Sequence, residues 1–144
     1  MMVAGSREKK VIVYIEDVVV NGVLMEMIAR RIDRCELHRS ETVGGGLDMI
    51  DTLNPEIVLV DVNMLQGELD GTVSRLVRLK NRCSAKLLAI VDDTEMQDTS
   101  FLKKLEIQDY IKKPFRLAEV VSTIDGLFSQ FEEVQPIVRE SGNV

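Results

Sequence analysis

The sequence predicts an α/β fold, a doubly wound five-stranded parallel sheet with helices on both faces, and three observations carry that reading. Short apolar runs at residues 11–15, 57–60 and 86–91, the last opened by Lys86, read as strands covered on both faces, since a half-exposed strand would alternate apolar and polar residues. Stretches with apolar residues spaced three and four apart separate those runs, giving five β-α repeats. Parallel strands require such crossovers, and the connections are right-handed. The first run ends on Glu16-Asp17, the second on Asp61, and the third is followed by Asp92-Asp93. In sheets of this type ligands bind at the carboxyl ends of the strands, so those acids mark the candidate site.

With 144 residues and 45% apolar content, the chain can bury one core and is short for two. Residues 1–9 read as a mobile N-terminal segment, 10–131 as the domain, and 132–144 as a polar tail or the start of a linker, too polar to fold alone. A net charge of −6 argues against direct binding to nucleic acid or anionic membranes and favours a protein partner or small ligand. Cys35 and Cys83 lack metal-ligand spacing and read as free thiols. No apolar run approaches the roughly 20 residues that span a bilayer, so a soluble, cytoplasmic chain is expected.

Taken in order, residues 11–15 form the first strand, and Val20, Val23, Leu24, Met27 and Ile28 make a helical stripe ending at Arg30-Arg31. Residues 35–39 suit an edge strand; His38, the sole histidine, lies there with no nucleophile or ligand partner and is assigned no role. The next helix carries Leu47, Ile50 and Leu53 but opens on Gly44-Gly45-Gly46, and each glycine costs a helix about 1 kcal/mol, so a late or frayed start is expected. Three glycines can also cradle phosphate, but the Lys-Ser/Thr ending of a P-loop is absent, and a flexible connection is the better reading. Pro55 precedes the third strand. Residues 62–71 read as a loop closed by Asp70-Gly71, followed by a helix over 72–80 with Val73, Leu76 and Val77 inward. Thr94, three residues before Gln97, fits a helix N-cap, and that fourth helix carries Phe101, Leu102 and Leu105. Tyr110 and Ile111 form the last strand, left through Lys112-Lys113-Pro114-Phe115. The fifth helix has the cleanest stripe, Leu117, Val120, Val121, Ile124, Leu127, Phe128 and Phe131, with the pattern lapsing beyond Glu133.

The doubly wound topology gathers Glu16, Asp17, Asp61, the Val91-Asp92-Asp93 corner and a lysine at one rim. Clustered carboxylates repel, so they hold protons or a hard cation, and oxygen donors suit Mg²⁺. Mg²⁺ keeps waters that phosphate oxygens can displace, and a lysine can pair with the same phosphoryl group. Strand alternation turns only one of Lys112 and Lys113 inward.

The ordered set Glu16-Asp17, Asp61, Asn63-Met64, Asp70-Gly71 and Asp109-Tyr110-Ile111-Lys112-Lys113-Pro114-Phe115 resembles the CheY-like receiver domains of bacterial response regulators, over residues 10–131. The resemblance implies a flavodoxin-like fold in a two-component phosphorelay. Asp61 matches the phospho-accepting aspartate, Glu16 and Asp17 the metal-side acids, and the Asn63 backbone carbonyl a further Mg²⁺ ligand. Lys113 matches the phosphate-pairing lysine, joined to Pro114 by a peptide bond that is usually cis in the family. Tyr110 matches the aromatic switch residue, and Asn21 an asparagine near the start of the first helix. The implied partners are a histidine kinase or phosphotransfer protein, an output protein or domain engaging the fourth and fifth helices, and a second copy in a homodimer.

Three positions depart from the family. Where receivers carry a Ser or Thr that binds the phosphoryl group, this chain has Val91, which keeps the β-branched shape without the hydroxyl. A charge-assisted hydrogen bond is worth about 1.5–3 kcal/mol, so unless another group replaces the hydroxyl the active-state population is expected to fall by roughly 10- to 100-fold. The loop at 65–69 lacks the usual proline after Met64 and is longer, and Leu105-Glu106-Ile107 replaces small residues. The leading expectation is a phosphorylation-controlled interaction module with only self-catalysed phosphorylation and dephosphorylation. A degenerate receiver that binds its partner constitutively is the second. A haloacid-dehalogenase-like phosphatase is the third, opposed by Asn63 where a general acid belongs and by a lysine that follows the acidic pair.

Overall fold

The computed structural model describes residues 9–92 and 103–143, with side chains described as far as residue 131. Five strands, β1 (Lys10–Ile15), β2 (Cys35–Ser40), β3 (Ile57–Asp61), β4 (Lys86–Asp92) and β5 (Asp109–Lys113), form one parallel sheet in the order β2-β1-β3-β4-β5. This is the doubly wound architecture expected from the apolar runs. The chain passes from β1 outward to β2 and returns to β3 on the other side of β1, so the winding reverses between β1 and β3. Their carboxyl ends therefore flank the crevice where such folds bind ligands. Every residue of β3 is buried, while edge strand β2 is mostly half-buried.

Alternation along the strands feeds two core layers. Val13, Ile15, Val58 and Val60 pack with Leu47, Ile50 and Leu76 from helices α2 (Val43–Leu53) and α3 (Asp70–Cys83). Ile12, Tyr14, Leu59 and Ile90 pack with Met25 and Ile28 of α1 (Val19–Ala29) and with Ile124 and Phe128 of the terminal helix (Leu117–Asn143).

Helix α1 turns most of its sequence stripe outward and keeps only Ile28 of it buried. Gly22, Met25, Ile28 and Ala29 are buried, whereas Val20, Val23, Leu24 and Met27 are 43–60% exposed. The helix is apolar almost all round, so spacing alone could not orient it. A Cβ on Gly22 would lie 2.5 Å from Arg39 Nε, so the glycine leaves room for the Arg39 side chain to lie across this face.

The glycines of α2 also act differently from the flexible connection expected. The helix begins at Val43, before them, with the Thr42 hydroxyl accepting from the Gly45 N–H at 3.0 Å as an N-cap. A Cβ on Gly46 would meet Ile15 Cγ1 at 2.5 Å, so this glycine brings α2 against β1.

Helix α3 is longer than read, and a 3-10 turn (Val62–Leu65) opens the loop before it, burying Leu65 in the core. Leu105 is fully buried, and Glu106 adopts a left-handed φ of 55°. Its carboxylate receives the Asn81 amide at 3.2 Å and pairs with buried Lys80 at 3.6 Å. The terminal helix continues to Asn143 instead of lapsing beyond Glu133. The expectations for Asp93, the Thr94 cap, Gln97, Phe101 and Leu102 lie outside the described residues. Among the described residues no helix is long and apolar enough to cross a membrane.

Candidate functional site

Asp61 closes β3 and is only 3% exposed. Its Oδ1 accepts the Asn63 N–H at 3.0 Å, capping the 3-10 turn that follows. Glu16 stands one residue beyond neighbouring β1 and is fully buried. Its Oε1 accepts the Tyr14 hydroxyl at 3.0 Å, and its Oε2 accepts the Val18 N–H at 3.2 Å. Between the two acids lies Lys113, whose Nζ is 2.5 Å from Asp61 Oδ2 and 4.0 Å from Glu16 Oε1. Lys113 reaches Asp61, while Lys112 is exposed on the alternate side of β5. The Lys113–Pro114 peptide is cis.

Two buried carboxylates thus face one ammonium. Burial raises the Glu16 pKa and repulsion from Asp61 raises it further; the hydrogen bonds from Val18 and Tyr14 and the charge of Lys113 offset this only in part. For Lys113, burial pulls the pKa down, but the hydrogen bond and charge of Asp61, with Glu16 and Asp92 behind it, raise it overall. Burial and the neighbouring Glu16 raise the Tyr14 phenol too, so it stays a donor. The rim therefore holds surplus negative charge on hard oxygen donors.

The other sequence candidates fall around this centre. Asp17 is exposed, and among the described residues no three His, Cys, Asp or Glu side chains are grouped to hold a metal ion by themselves. Mg²⁺ often takes only one or two protein carboxylates and keeps its waters, so Glu16 and Asp61 suit it as a donor pair. The Asn63 carbonyl accepts the Gln66 N–H at 3.4 Å. Asn21 is half-buried in α1. Val91 is 5% exposed near the end of β4 and pairs with Lys112, whereas Asp61 pairs with Ile90. Tyr110 is 43% exposed.

Sequence reasoning missed Tyr14 and Arg39. Tyr14 sat within an aliphatic run, yet period two places it on the face of Glu16. Arg39 reaches from β2 to donate to the Glu16 carbonyl at 2.8 Å, a contact that no spacing encodes.

Exposed apolar residues border the same rim. Val18, Val19 and Val20 follow Asp17, Leu117 follows the Lys113 turn, and all four are at least 42% exposed. Leu24, Met27, Ile28, Phe115 and Leu117 line a groove of about 390 Å³ together with Arg30 and Arg31.

No family model matches the sequence, and no curated protein matches it. Solved structures superpose on it, many of them CheY-like or other response-regulator receiver domains, whose fold this chain has. A CheY-like receiver domain protein from Methanospirillum hungatei superposes with a TM-score of 0.71 at 20% identity, covering 88% of this chain and 99% of that one. The receiver domain of a modulated diguanylate cyclase from Desulfovibrio desulfuricans gives 0.68 at 20% identity, covering 85% and 96%. NtrX from Brucella abortus gives 0.72 at 14% identity over 91% of this chain but only 29% of its own. Domains of this fold thus occur within longer proteins that carry other parts.

Proposed function

We propose that the chain is a response-regulator receiver module that accepts a phosphoryl group on Asp61 from a histidine kinase or phosphotransfer protein and alters a protein-interaction face in response. The observation that supports this best is the buried Asp61 carboxylate, 2.5 Å from the Lys113 ammonium and close to the Glu16 acid. An Asp61 oxygen forms the new P–O bond while the donor's P–N bond breaks and the donor imidazole leaves. Lys113 is placed to pair with the incoming phosphoryl oxygens as a point charge. Asp61 and Glu16, with Asp17 and the Asn63 carbonyl at the loop edges, would hold Mg²⁺, which would neutralise the phosphoryl charge. The apolar rim at Val18, Val19, Val20 and Leu117 fits a protein donor better than a free small molecule. Turnover is limited to self-catalysed phosphorylation and dephosphorylation, and the cytoplasm is the proposed setting.

Incubation with Mg²⁺ and acetyl phosphate, read by intact-mass spectrometry and phosphate-affinity gels, tests the reading. One added phosphoryl group is expected in the parent chain and none in Asp61→Asn; labelling that survives Asp61→Asn would overturn it. A constitutive, phosphate-independent receiver is the second reading, favoured by the buried Val91 that lacks a hydroxyl. Beryllofluoride with Mg²⁺ separates the two, because only a switching domain shifts amide resonances at Tyr110 as well as at the site. Phosphatase chemistry has less support, since Asn63 offers Asp61 a backbone N–H and no general acid.

A further inference from the structure

Glu16 is restrained at four atoms. Its N–H donates to the Ser40 carbonyl at 3.0 Å and its own carbonyl accepts from Arg39 Nη1 at 2.8 Å. Its carboxylate oxygens are taken one by Tyr14 and one by the Val18 N–H. The strand contact to Ser40 belongs to the sheet, but the Tyr14 and Arg39 contacts do not. A phenylalanine would fill the Tyr14 position in the core, and the Arg39 guanidinium stretches over α1 only because Gly22 has no side chain there.

We propose that Tyr14 and Arg39 are positioning residues that fix Glu16 for cation binding beside Asp61, Tyr14 through the carboxylate and Arg39, admitted by Gly22, through the carbonyl. This rests on the reading of the rim as a phosphoryl-accepting, Mg²⁺-dependent site. A carboxylate that is already ordered forfeits little freedom when it captures an ion, whereas a loose one must be ordered at that moment. Both contacts depend on the residues at 14, 22 and 39, and changing them leaves the acid set itself intact.

The test is a Mg²⁺ titration of the full chain, followed by amide shifts of Asp17 and Asn63, with melting curves recorded without the ion. Tyr14→Phe removes one hydrogen bond to a buried charge, and Mg²⁺ affinity is expected to fall about tenfold. Gly22→Ala is the discriminating variant. Alanine is the better helix former, so melting without Mg²⁺ should hold or rise, yet its Cβ displaces Arg39 and affinity should drop about threefold. Arg39→Met should reproduce that drop. Affinities of Tyr14→Phe and Gly22→Ala within twofold of the parent would overturn the proposal; if Tyr14→Phe does not fold, Gly22→Ala and Arg39→Met decide. Parent binding with unaffected variants removes this inference alone, whereas a parent that does not bind Mg²⁺ at millimolar concentration removes the cation reading and this inference together.

Discussion

Replacing Lys113 by Met retains most of the aliphatic stem and deletes the charge that separates two buried acids. The ammonium lies 2.5 Å from Asp61 and 4.0 Å from Glu16, and its side chain is 19% exposed. At an effective dielectric of about 20 those distances correspond to about 7 and about 4 kcal/mol of attraction. Drying the ions cancels much of this, and deleting one member of a buried pair typically costs about 3–5 kcal/mol. We expect a loss in that range at neutral pH without divalent cations, a drop of roughly 10 °C in Tm for a domain this size. Two rescues follow from the charge balance. Acidification to about pH 5 should restore part of the loss, because a proton on Glu16, whose pKa burial and the Asp61 charge already raise, can replace the ammonium. Mg²⁺ at ten times its Kd should return about 1.4 kcal/mol by mass action. Urea unfolding followed by far-UV circular dichroism, at both pH values and with and without Mg²⁺, measures all three. A loss below about 1 kcal/mol, insensitive to pH and to Mg²⁺, would refute the charge argument.

Glu16 has a raised pKa in the folded state, so its contribution is fully present below its ordinary 4.5 and is lost as pH rises through the folded value. Without divalent cations, urea midpoints of the parent should therefore fall across that window relative to Glu16→Gln; parallel pH profiles would contradict this. On α1, Met25 is fully buried and Met27 is 55% exposed. Met25→Ala should accordingly cost about 2–5 kcal/mol and Met27→Ala within about 0.5, and the reverse ranking in thermal melts would mean the helix is turned the other way. Val91→Thr adds a hydroxyl at a 5% exposed position and should cost about 1–3 kcal/mol in the resting protein. The same variant should enlarge the beryllofluoride-induced shift at Tyr110, and an unchanged shift would show that the hydroxyl has no part in the response.

The sheet and the acid rim were legible because each rests on a local signal. Apolar runs this short and this rich in β-branched residues suit strands covered on both faces, and the carboxylates after them mark the strand ends without knowledge of register. What was hidden depended on contacts between elements. Lys112 and Lys113 are adjacent, and only the pairing of β5 with β4 fixes which one turns towards Asp61. The face of α1 was misread at four of its five stripe residues, Val20, Val23, Leu24 and Met27, because they are as apolar as the inward Met25, Ile28 and Ala29, with Ile28 common to both, and the nearness of Gly22 to Arg39 on another strand is not visible in sequence. Gly46 is parallel: its cost to the helix is visible in sequence, while its contact with Ile15 is not.

In the proposed reading, acceptance and response rest on different residues. Asp61, Glu16 and Lys113 are linked by short contacts and by charge, which is what the proposed acceptor chemistry needs. Response is assigned to Val91 on β4 and Tyr110 on β5, the first without a hydroxyl and the second already 43% exposed. A ligand shifts a conformational equilibrium only by its differential affinity for the two states. With no hydroxyl at position 91, a phosphoryl group on Asp61 would lack a contact that contributes about 1.5–3 kcal/mol to that difference. The differential must then come mainly from Lys113, which shares β5 with Tyr110 and already spends its charge on Asp61 in the resting protein. A lysine paired in both states discriminates less than a hydroxyl engaged in one. The domain should therefore take up phosphate more readily than it converts phosphate into movement, and Val91→Thr should change the second property far more than the first.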